Sequence, residues 1–385
     1  MLDYGKNKVY GMSENMKKII SAVCGLAVYS AVSANAQIDL GVSDFPDSTA
    51  NETLEQQFGQ NTGSQKSFSF FDKAVNLFSS SAPSQAPKNV NIDELKEKAN
   101  EGDIEALLDM GYMYLYGTDG ISIDHKKALE YYTKAAEKKN AVALNNLGSL
   151  YFNGIGTNID YSRAIGYFDE AARLGSDDAA VNLAIIYLGS DVKSKNKEDL
   201  IKVSELLEQA QPNNNIAKYL SGYGYMKGFL FKQDYAKAFP LIKAAADAGY
   251  DEAQLILADF YINGWGTPKN YNRAVQYLKN ASAQGNAEAM VRLGDILSEG
   301  KIYTRNIMNA HIQYNIAAVL GIEKAADKRD ALEKNIKIED LLSIQSEAED
   351  YTPQPTEQTI FIRQTYGNSL KAYIDLNLKI AKKLK

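Results

Sequence analysis

The chain repeats one pattern of small and aromatic residues six times, at a spacing of 36 to 38 residues. The first repeated position holds Ala106, Ala143, Ala179, Ala217, Ala253 and Ala289. Five residues later stand Gly111, Gly148, Ala184, Gly222, Ala258 and Gly294. Three residues further on stand Tyr114, Tyr151, Tyr187, Tyr225, Tyr261 and, as an exception, Leu297. A fixed period of this length is typical of stacked-repeat architectures, in which each unit packs only on its neighbours.

Each unit is predicted to be two helices joined by a glycine turn. In the second unit the repeated residues fall at i, i+4, i+5 and i+8, which places them on one face of a helix over 143–153. The turn 154–157 has the sequence Gly-Ile-Gly-Thr, and glycine supplies the backbone conformations that end a helix. A second helix carries its own small residues at Ala164, Ala171 and Ala172. Because no unit can bury its apolar stripe alone, the units are expected to stack.

A short polar residue precedes each second helix at a constant offset. These residues are Asp124, Asp160, Asp199, Asp234, Asn270 and Asn306. Six carboxylates or amides in register could suggest catalysis. The constant offset favours helix N-capping instead, since Asp and Asn side chains accept a hydrogen bond from an unpaired backbone N–H at a helix start.

The pattern Ala-x-x-x-Leu-Gly-x-x-Tyr-x-x-Gly-x-Gly, followed by Asp-Tyr-x-x-Ala and a closing Ala-Ala, resembles the Sel-one-like repeat, a relative of the tetratricopeptide repeat. Residues 143–172 and 253–281 match it best, and 190–192 depart from it by lacking the glycine turn. The resemblance implies an all-α fold, a right-handed α-solenoid of about six helix-turn-helix repeats with a C-terminal capping helix pair. It also implies a protein-binding or adaptor role, without naming a partner.

The expected boundaries are residues 92–321 for the repeats and 322–351 for the capping helices. Residues 37–91, rich in Ser, Asn, Gln and Pro, are expected to be mostly disordered. A short amphipathic helix is predicted within 67–79, either as a cap or as a docking segment. The tail at 352–385 fits a strand or a helical stripe, and its content of Leu, Lys and Ala favours a helix.

The N-terminus resembles a secretory signal peptide. Lys17 and Lys18 precede the apolar run 19–32, and Ala34-Asn35-Ala36 has the small-x-small pattern of a cleavage site. We predict removal of residues 1–36, with a start at Met16 or Met12 or a long leading region, and no stable membrane span afterwards. The style of this signal is bacterial, so the mature protein is expected to be periplasmic or secreted.

Residues that carry chemistry are scarce in this sequence. The single cysteine, Cys24, leaves with the signal, and neither His125 nor His311 has a partner at metal-ligand spacing. The Gly-x-Gly turns precede no Lys-Ser/Thr pair, so they are not phosphate loops. A net charge of −6 without a basic face gives nucleic-acid binding no support. We therefore predict no catalytic residues, no cofactor and no metal, and a protein that is not an enzyme.

The sequence favours an exported scaffold or adaptor that binds a protein or peptide in the inner groove of the solenoid. One alternative is a periplasmic negative regulator of an envelope sensor or enzyme, and another is an envelope hydrolase. Positions two, six, nine and ten after the anchor alanine are predicted to line the groove. Its apolar half would hold Leu108, Tyr112, Leu115, Tyr116, Phe152, Ile185, Leu188, Tyr219, Tyr223 and Met226, and its acidic half Asp259, Asp295 and Glu299.

Packing of these side chains between units is the other possibility. If the groove is open, an aromatic patch of this kind marks a binding site. The expected ligand is an amphipathic segment with a basic end. The chain's own Phe68–Phe78 segment is a candidate for occupying the groove until a partner displaces it.

Overall fold

The computed structural model describes residues 91–118, 120–189, 197–366 and 370–381, and throughout these ranges the regular structure is α-helical. The helices are α1 (Ile92–Glu101), α2 (Ile104–Tyr116), α3 (His125–Glu137), α4 (Ala141–Asn153), α5 (Tyr161–Arg173), α6 (Asp177–Gly189), α7 (Lys197–Ala210), α8 (Asn215–Lys227), α9 (Tyr235–Asp247), α10 (Asp251–Asn263), α11 (Tyr271–Ala283), α12 (Ala287–Glu299), α13 (Ile307–Val319), α14 (Glu323–Glu333), α15 (Ile338–Glu349), α16 (Glu357–Tyr366) and α17 (Lys371–Ala381).

Consecutive helices pair into six hairpins, and each hairpin packs on the next one. The pairs are α2 with α3, α4 with α5, α6 with α7, α8 with α9, α10 with α11 and α12 with α13. Helix α1 packs on α2 at one end, and α14 and α15 both pack on α13 at the other. The predicted all-α solenoid with a C-terminal helix pair is therefore confirmed.

Short polar residues start these helices as predicted. Asp124, Asp160, Asp234, Asn270 and Asn306 each accept a hydrogen bond from the backbone N–H three residues later, at 3.0–3.1 Å. A second set, which the repeat pattern above did not include, starts the first helix in five of the six units. Its members Asp103, Asn140, Ser176, Asn214 and Asn286 bond the backbone N–H of the anchor alanine at 2.8–3.2 Å.

The N-cap prediction was wrong for Asp199 in the third unit. Helix α7 begins at Lys197, so Asp199 lies inside its first turn, where its side chain is buried. The third unit has 20 positions between its anchor alanine and this aspartate, where the second unit has 17, and its second helix starts two residues before the aspartate instead of directly after it. Residues 190–196, just before α7, lie outside the described residues.

The small residues allow the two helices of a unit to approach closely. A Cβ atom built on Gly148 of α4 would lie 2.7 Å from Cε1 of Phe168 in α5, and one on Gly222 of α8 would lie 2.9 Å from Cγ1 of Ile242 in α9. Both partner side chains are buried. In the four hairpins that have glycine at this position, the glycine is therefore a point of close contact between the two helices.

The Gly-x-Gly turns have a packing role between units. Gly154 ends α4 with φ 67° and Gly156 follows with φ 71°, and L side chains rarely adopt this left-handed region. A Cβ atom on Gly156 would lie 2.3 Å from the carbonyl oxygen of His125 in the preceding unit. The second glycine is thus required by the close approach of two backbones.

Several sequence predictions concern residues outside the described ranges. They are the signal peptide at 1–36, the arm at 37–90 and its short helix within 67–79. Of the helices described, none combines the length and the apolar character needed to span a bilayer. The tail that follows the capping helices contains α16 and α17.

Candidate functional site

The C-terminal tail turns back after α15 and runs along the solenoid toward earlier units. The Tyr351 hydroxyl donates to the carbonyl oxygen of Ser282 at 2.7 Å, and the backbone N–H of Gln354 donates to the carbonyl of Ala283 at 2.8 Å. Thr356 then donates through Oγ1 to the carbonyl of Gly249 at 2.9 Å. The segment 351–366, which we call the strap, therefore crosses the turns between units six, five and four.

The strap supplies a helix cap that the repeat itself lacks. At the N-cap of α10 the chain has Tyr250, which makes no side-chain capping bond. The backbone N–H of Asp251 donates instead to Oγ1 of the tail residue Thr359, at 3.2 Å. The tail thus completes the start of α10 in the one unit whose N-cap position lacks a short polar residue.

A buried ion pair fixes the same point of contact. Arg363 Nη2 lies 2.7 Å from Oδ2 of Asp251, whose side chain is only 3% exposed. Asn286 Nδ2 donates to the same carboxylate oxygen at 3.0 Å. Because a buried carboxylate without its partner is costly, losing Arg363 from this position would destabilise the contact of the strap with units five and six.

Helix α17 then lies across the first helices of units three and four. We call the surface formed by the first helices of the six units the inner face; α17 contacts it at α6, at α8 and at the N-terminal ends of α10 and α12. Leu370 and Ile374 are fully buried there. The Tyr223 hydroxyl of α8 donates to Oδ1 of Asp375 at 2.7 Å, and Asn377 Nδ2 donates to the carbonyl of Leu188 in α6 at 2.9 Å.

A buried carboxylate meets the start of α17. Glu252 Oε2 accepts hydrogen bonds from the hydroxyls of Tyr250 at 2.5 Å and Tyr219 at 3.1 Å. The same oxygen accepts the backbone N–H of Lys371, the first residue of α17, at 3.3 Å. A negative charge here complements the unpaired N–H groups and the positive end of the helix dipole.

Burial and neighbouring carboxylates keep the tyrosines of this site protonated. Burial raises the pKa of Tyr219 and Tyr250 well above the usual range, and the Glu252 carboxylate raises both further. The pKa of Tyr223 is also raised, mainly by burial and to a smaller extent by the hydrogen bond to Asp375. These phenols therefore remain hydrogen-bond donors over the whole physiological pH range.

A row of amides continues the inner face beyond the end of α16. The Tyr366 hydroxyl donates to Oδ1 of Asn182 at 2.9 Å, and Asn182 Nδ2 donates to Oδ1 of Asn145 at 2.9 Å. Both amides are fully buried. Within the described part of the chain, Nδ2 of Asn145 has no hydrogen-bond partner.

The structure divides the predicted apolar groove residues into two groups. The side chains of Leu115, Phe152, Ile185, Leu188, Tyr219, Tyr223 and Met226 are buried in the folded chain. Of these, Tyr223 and the backbone of Leu188 bind α17 directly, and Tyr219 acts through Glu252. In the first unit Leu108 and Tyr112 are half-buried and Tyr116 is 45% exposed, with the rings of Tyr112 and Tyr116 4.6 Å apart. The aromatic surface left open is therefore at the N-terminal end.

The predicted acidic half of the groove is largely neutralised by its neighbours. Arg292 Nη2 binds Asp259 Oδ1 at 2.9 Å. Asp295 pairs with Lys328 and also accepts the hydroxyl of Tyr314 at 2.7 Å. Glu299 is exposed, with Lys301 Nζ 3.4 Å away. Asp259 and Asp295 are therefore paired with cations of the following helices, whereas Glu299 stays exposed, and binding of a basic ligand at this half of the groove stays a prediction.

The two histidines have different surroundings. His125 is exposed as the first residue of α3. His311 is buried, and its Nε2 lies 2.9 Å from Oε1 of Glu333 in α14, which links the last repeat to the capping helices. Among the residues that the structure describes, no three His, Cys, Asp or Glu side chains come together in a way that could hold a metal ion.

The described helices define an all-α solenoid of stacked helical hairpins. The Sel1 repeat model matches residues 104–140, 141–176, 215–250, 251–286 and 287–318. The chain is a Sel1-repeat protein. The third unit falls between the matched ranges, which agrees with its missing glycine turn and its insertion.

Two solved structures are similar to this chain. One is c5321, a protective antigen of uropathogenic Escherichia coli strains displaying an SLR fold, with 24% identity and a TM-score of 0.53 over 68% of this chain and 64% of that chain. The other is a Sel1 repeat protein from Oxalobacter formigenes, with 25% identity and a TM-score of 0.48 over 60% of this chain and 97% of that chain. The similarity to c5321 supports the fold. This chain spans somewhat less than two thirds of the length of c5321.

Among curated proteins, a component of an ERAD-associated E3 ubiquitin-protein ligase from Arabidopsis thaliana, HRD3A, is 30% identical over 73 residues. The match covers 19% of this chain and 11% of that protein. The chain therefore matches only about a tenth of the length of that protein.

Proposed function

We propose that this protein is an exported scaffold that binds a protein partner on the inner face of its solenoid. The observation that carries the proposal is the docking of α17, because it shows that this face buries a helix with both apolar and polar contacts. Sel1 repeats generally mediate protein–protein interaction. Membership of a ligase assembly, as in the name of the Arabidopsis relative, is in line with such a role.

The proposal places the protein in the periplasm or outside the cell. Its support is the N-terminal sequence alone, namely the lysine pair, the apolar run and Ala34-Asn35-Ala36. N-terminal sequencing of the exported protein should find Gln37 first. An exported protein that keeps the run 19–32 would contradict the cleavage.

Binding on the inner face can be tested by photo-crosslinking in the native host. In one variant a photoreactive residue replaces Tyr116, which is 45% exposed. In a matched control it replaces Leu174, which is 46% exposed but lies at the end of a second helix. We expect an adduct with an envelope protein from position 116 only. Equal adducts from both positions, or none from position 116, would reject inner-face binding.

The identity of the crosslinked partner decides between a scaffold and a negative regulator. If the crosslinked partner is a sensor or enzyme whose activity rises when this protein is deleted, the result supports the negative regulator. A partner whose complex with other envelope proteins is lost on deletion would support the scaffold. We favour the scaffold, because a binding surface is what the described residues provide.

A further inference from the structure

The contacts of α17 define the kind of ligand that the inner face accepts. We propose that this face is a receptor for one amphipathic helix of the α17 pattern, and that α17 is a resident occupant which a helix of a partner protein replaces. The inference rests on the proposed function and adds the chemistry of the partner. The partner helix carries apolar residues at the positions of Leu370 and Ile374, a carboxylate at Asp375 and an amide at Asn377.

Each part of that pattern has a complement on the inner face. Leu370 directly precedes α17 and Ile374 lies in its first turn, and both side chains are fully buried against the core of the repeats. The carboxylate accepts the hydroxyl of Tyr223 at 2.7 Å, and the amide donates to the carbonyl of Leu188 at 2.9 Å. Two polar contacts at fixed spacing select the sequence and register of a helix, which apolar contact alone would not do.

The inner face also fixes where the partner helix begins. Glu252 is held by the hydroxyls of Tyr219 and Tyr250 and accepts the first backbone N–H of α17. On the side of the bound helix this bond involves only the backbone N–H. It is therefore available to a helix of any sequence that starts at this point. The direction of the helix follows, because only an N-terminus is favoured next to a carboxylate.

The strap and α17 are anchored separately, so α17 can leave while the strap stays. The strap binds through Tyr351, Thr356, Thr359 and Arg363 to the turns of units four to six. None of these bonds involves α17. A partner helix therefore has to break only the contacts of α17, and the released helix remains tethered beside the inner face.

The test measures binding of a labelled peptide with the sequence of residues 370–381 to the purified full chain. In the wild type, the tethered α17 competes with the peptide at an effective concentration on the order of millimolar. A release variant, Ile374→Asp, places a charge in a buried apolar position of the tail and leaves the inner face unchanged. We expect the release variant to bind the peptide at least about ten-fold more tightly than the wild type does.

Two substitutions on α8 provide matched variants in the release background. Tyr223→Phe removes the hydroxyl that meets the carboxylate, and Tyr225→Phe is the control, since Tyr225 stacks on Phe231 on another side of the helix. We expect Tyr223→Phe to weaken the peptide about ten-fold and Tyr225→Phe to leave it unchanged. A peptide carrying Asp375→Ala should show no further loss on Tyr223→Phe, because either change alone already removes the hydrogen bond between these two side chains.

Three results would overturn the inference. The first is equal peptide affinity of wild type and release variant, both with native circular dichroism. The second is equal binding of a scrambled peptide. The third is a wild type that is dimeric by light scattering while the release variant is monomeric, since the occupant would then be the tail of a second copy.

Competition between the peptide and the protein crosslinked at position 116 separates the two proposals. If a partner is captured at position 116 but does not compete with the peptide, the proposed function stands and the helix receptor is rejected. This holds whether or not the peptide itself binds. Specific peptide binding without any inner-face partner would leave the receptor standing and reject the scaffold. Competition supports both.

Discussion

Two glycine-to-alanine substitutions, one on each helix of the second hairpin, should have opposite effects on stability. Gly148 lies in α4, where an added Cβ atom would stand 2.7–2.9 Å from three atoms of the Phe168 ring. Gly166 lies in α5, is exposed, and has no described atom within 4 Å of an added Cβ. The same chemical change therefore meets a packed ring at one site and open space at the other.

The expected magnitudes follow from two opposing terms. Alanine in place of glycine stabilises a helix interior by about 0.5–1 kcal/mol, because it reduces the freedom of the unfolded backbone. Overpacking a close contact costs about 1–3 kcal/mol. Gly166→Ala should therefore stabilise the chain by about 0.5–1 kcal/mol, whereas Gly148→Ala should destabilise it by about 1 kcal/mol and at most by about 2.5 kcal/mol.

Urea unfolding of the full chain measures the net change, and hydrogen exchange shows where it occurs. Because repeat units couple to their neighbours, the loss at Gly148 should appear first in the amides of α4 and α5. Combining Gly148→Ala with Phe168→Leu should cost less than the sum of the two single changes, since a smaller side chain makes room for the methyl group. The close-contact argument is refuted if Gly148→Ala stabilises the chain as much as Gly166→Ala does.

Three further outcomes follow from the tail and from the buried tyrosines. Arg363→Ala should leave the carboxylate of Asp251 buried without its ion partner, at a cost of about 3 kcal/mol, seen as lost amide protection in the strap. Thr359→Val should remove the cap of α10 and cost about 1 kcal/mol in urea unfolding, with α10 amides the most affected. The raised pKa values of Tyr219 and Tyr250 imply stability that is fully present below about pH 10, the ordinary tyrosine pKa, and is lost as pH rises toward their folded pKa values. Near-UV absorbance should therefore show these phenols ionising together with unfolding and not before it.

The repeat architecture could be predicted from the sequence because its determinants recur. The anchor alanines and the glycine positions are set by contacts between adjacent helices, so each unit repeats the same constraint. Asp199 shows where this reasoning fails, since the prediction transferred an offset across an insertion. The capping residues of the first helices stand three positions before the anchor in five of the six units, and could have been found by the same comparison.

The docking of the tail could not be predicted in the same way. It joins residues 69 to 189 positions apart through single polar contacts, such as Tyr223 with Asp375, and nothing in the tail repeats. One signal was present in the sequence. Tyr250 replaces the Asp, Asn or Ser found at this position in the other five units, and the structure shows that Thr359 of the tail takes over the capping role.

The separate anchoring of the strap and α17 determines how strongly a partner would have to bind. A partner helix can use the inner face only in the fraction of molecules from which α17 has dissociated, so its apparent affinity is reduced by that fraction. If α17 is docked about 100-fold more often than it is free, a helix with an intrinsic Kd of about 10 nM would bind with an apparent Kd of about 1 μM. The strap keeps the released α17 beside the inner face. Each time the partner helix dissociates, α17 can therefore rebind before the partner does. The tail would therefore set a minimum affinity for a partner helix. A helix that matches the contacts of Tyr223, Leu188 and Glu252 would reach this affinity, and one that offers apolar surface alone would not.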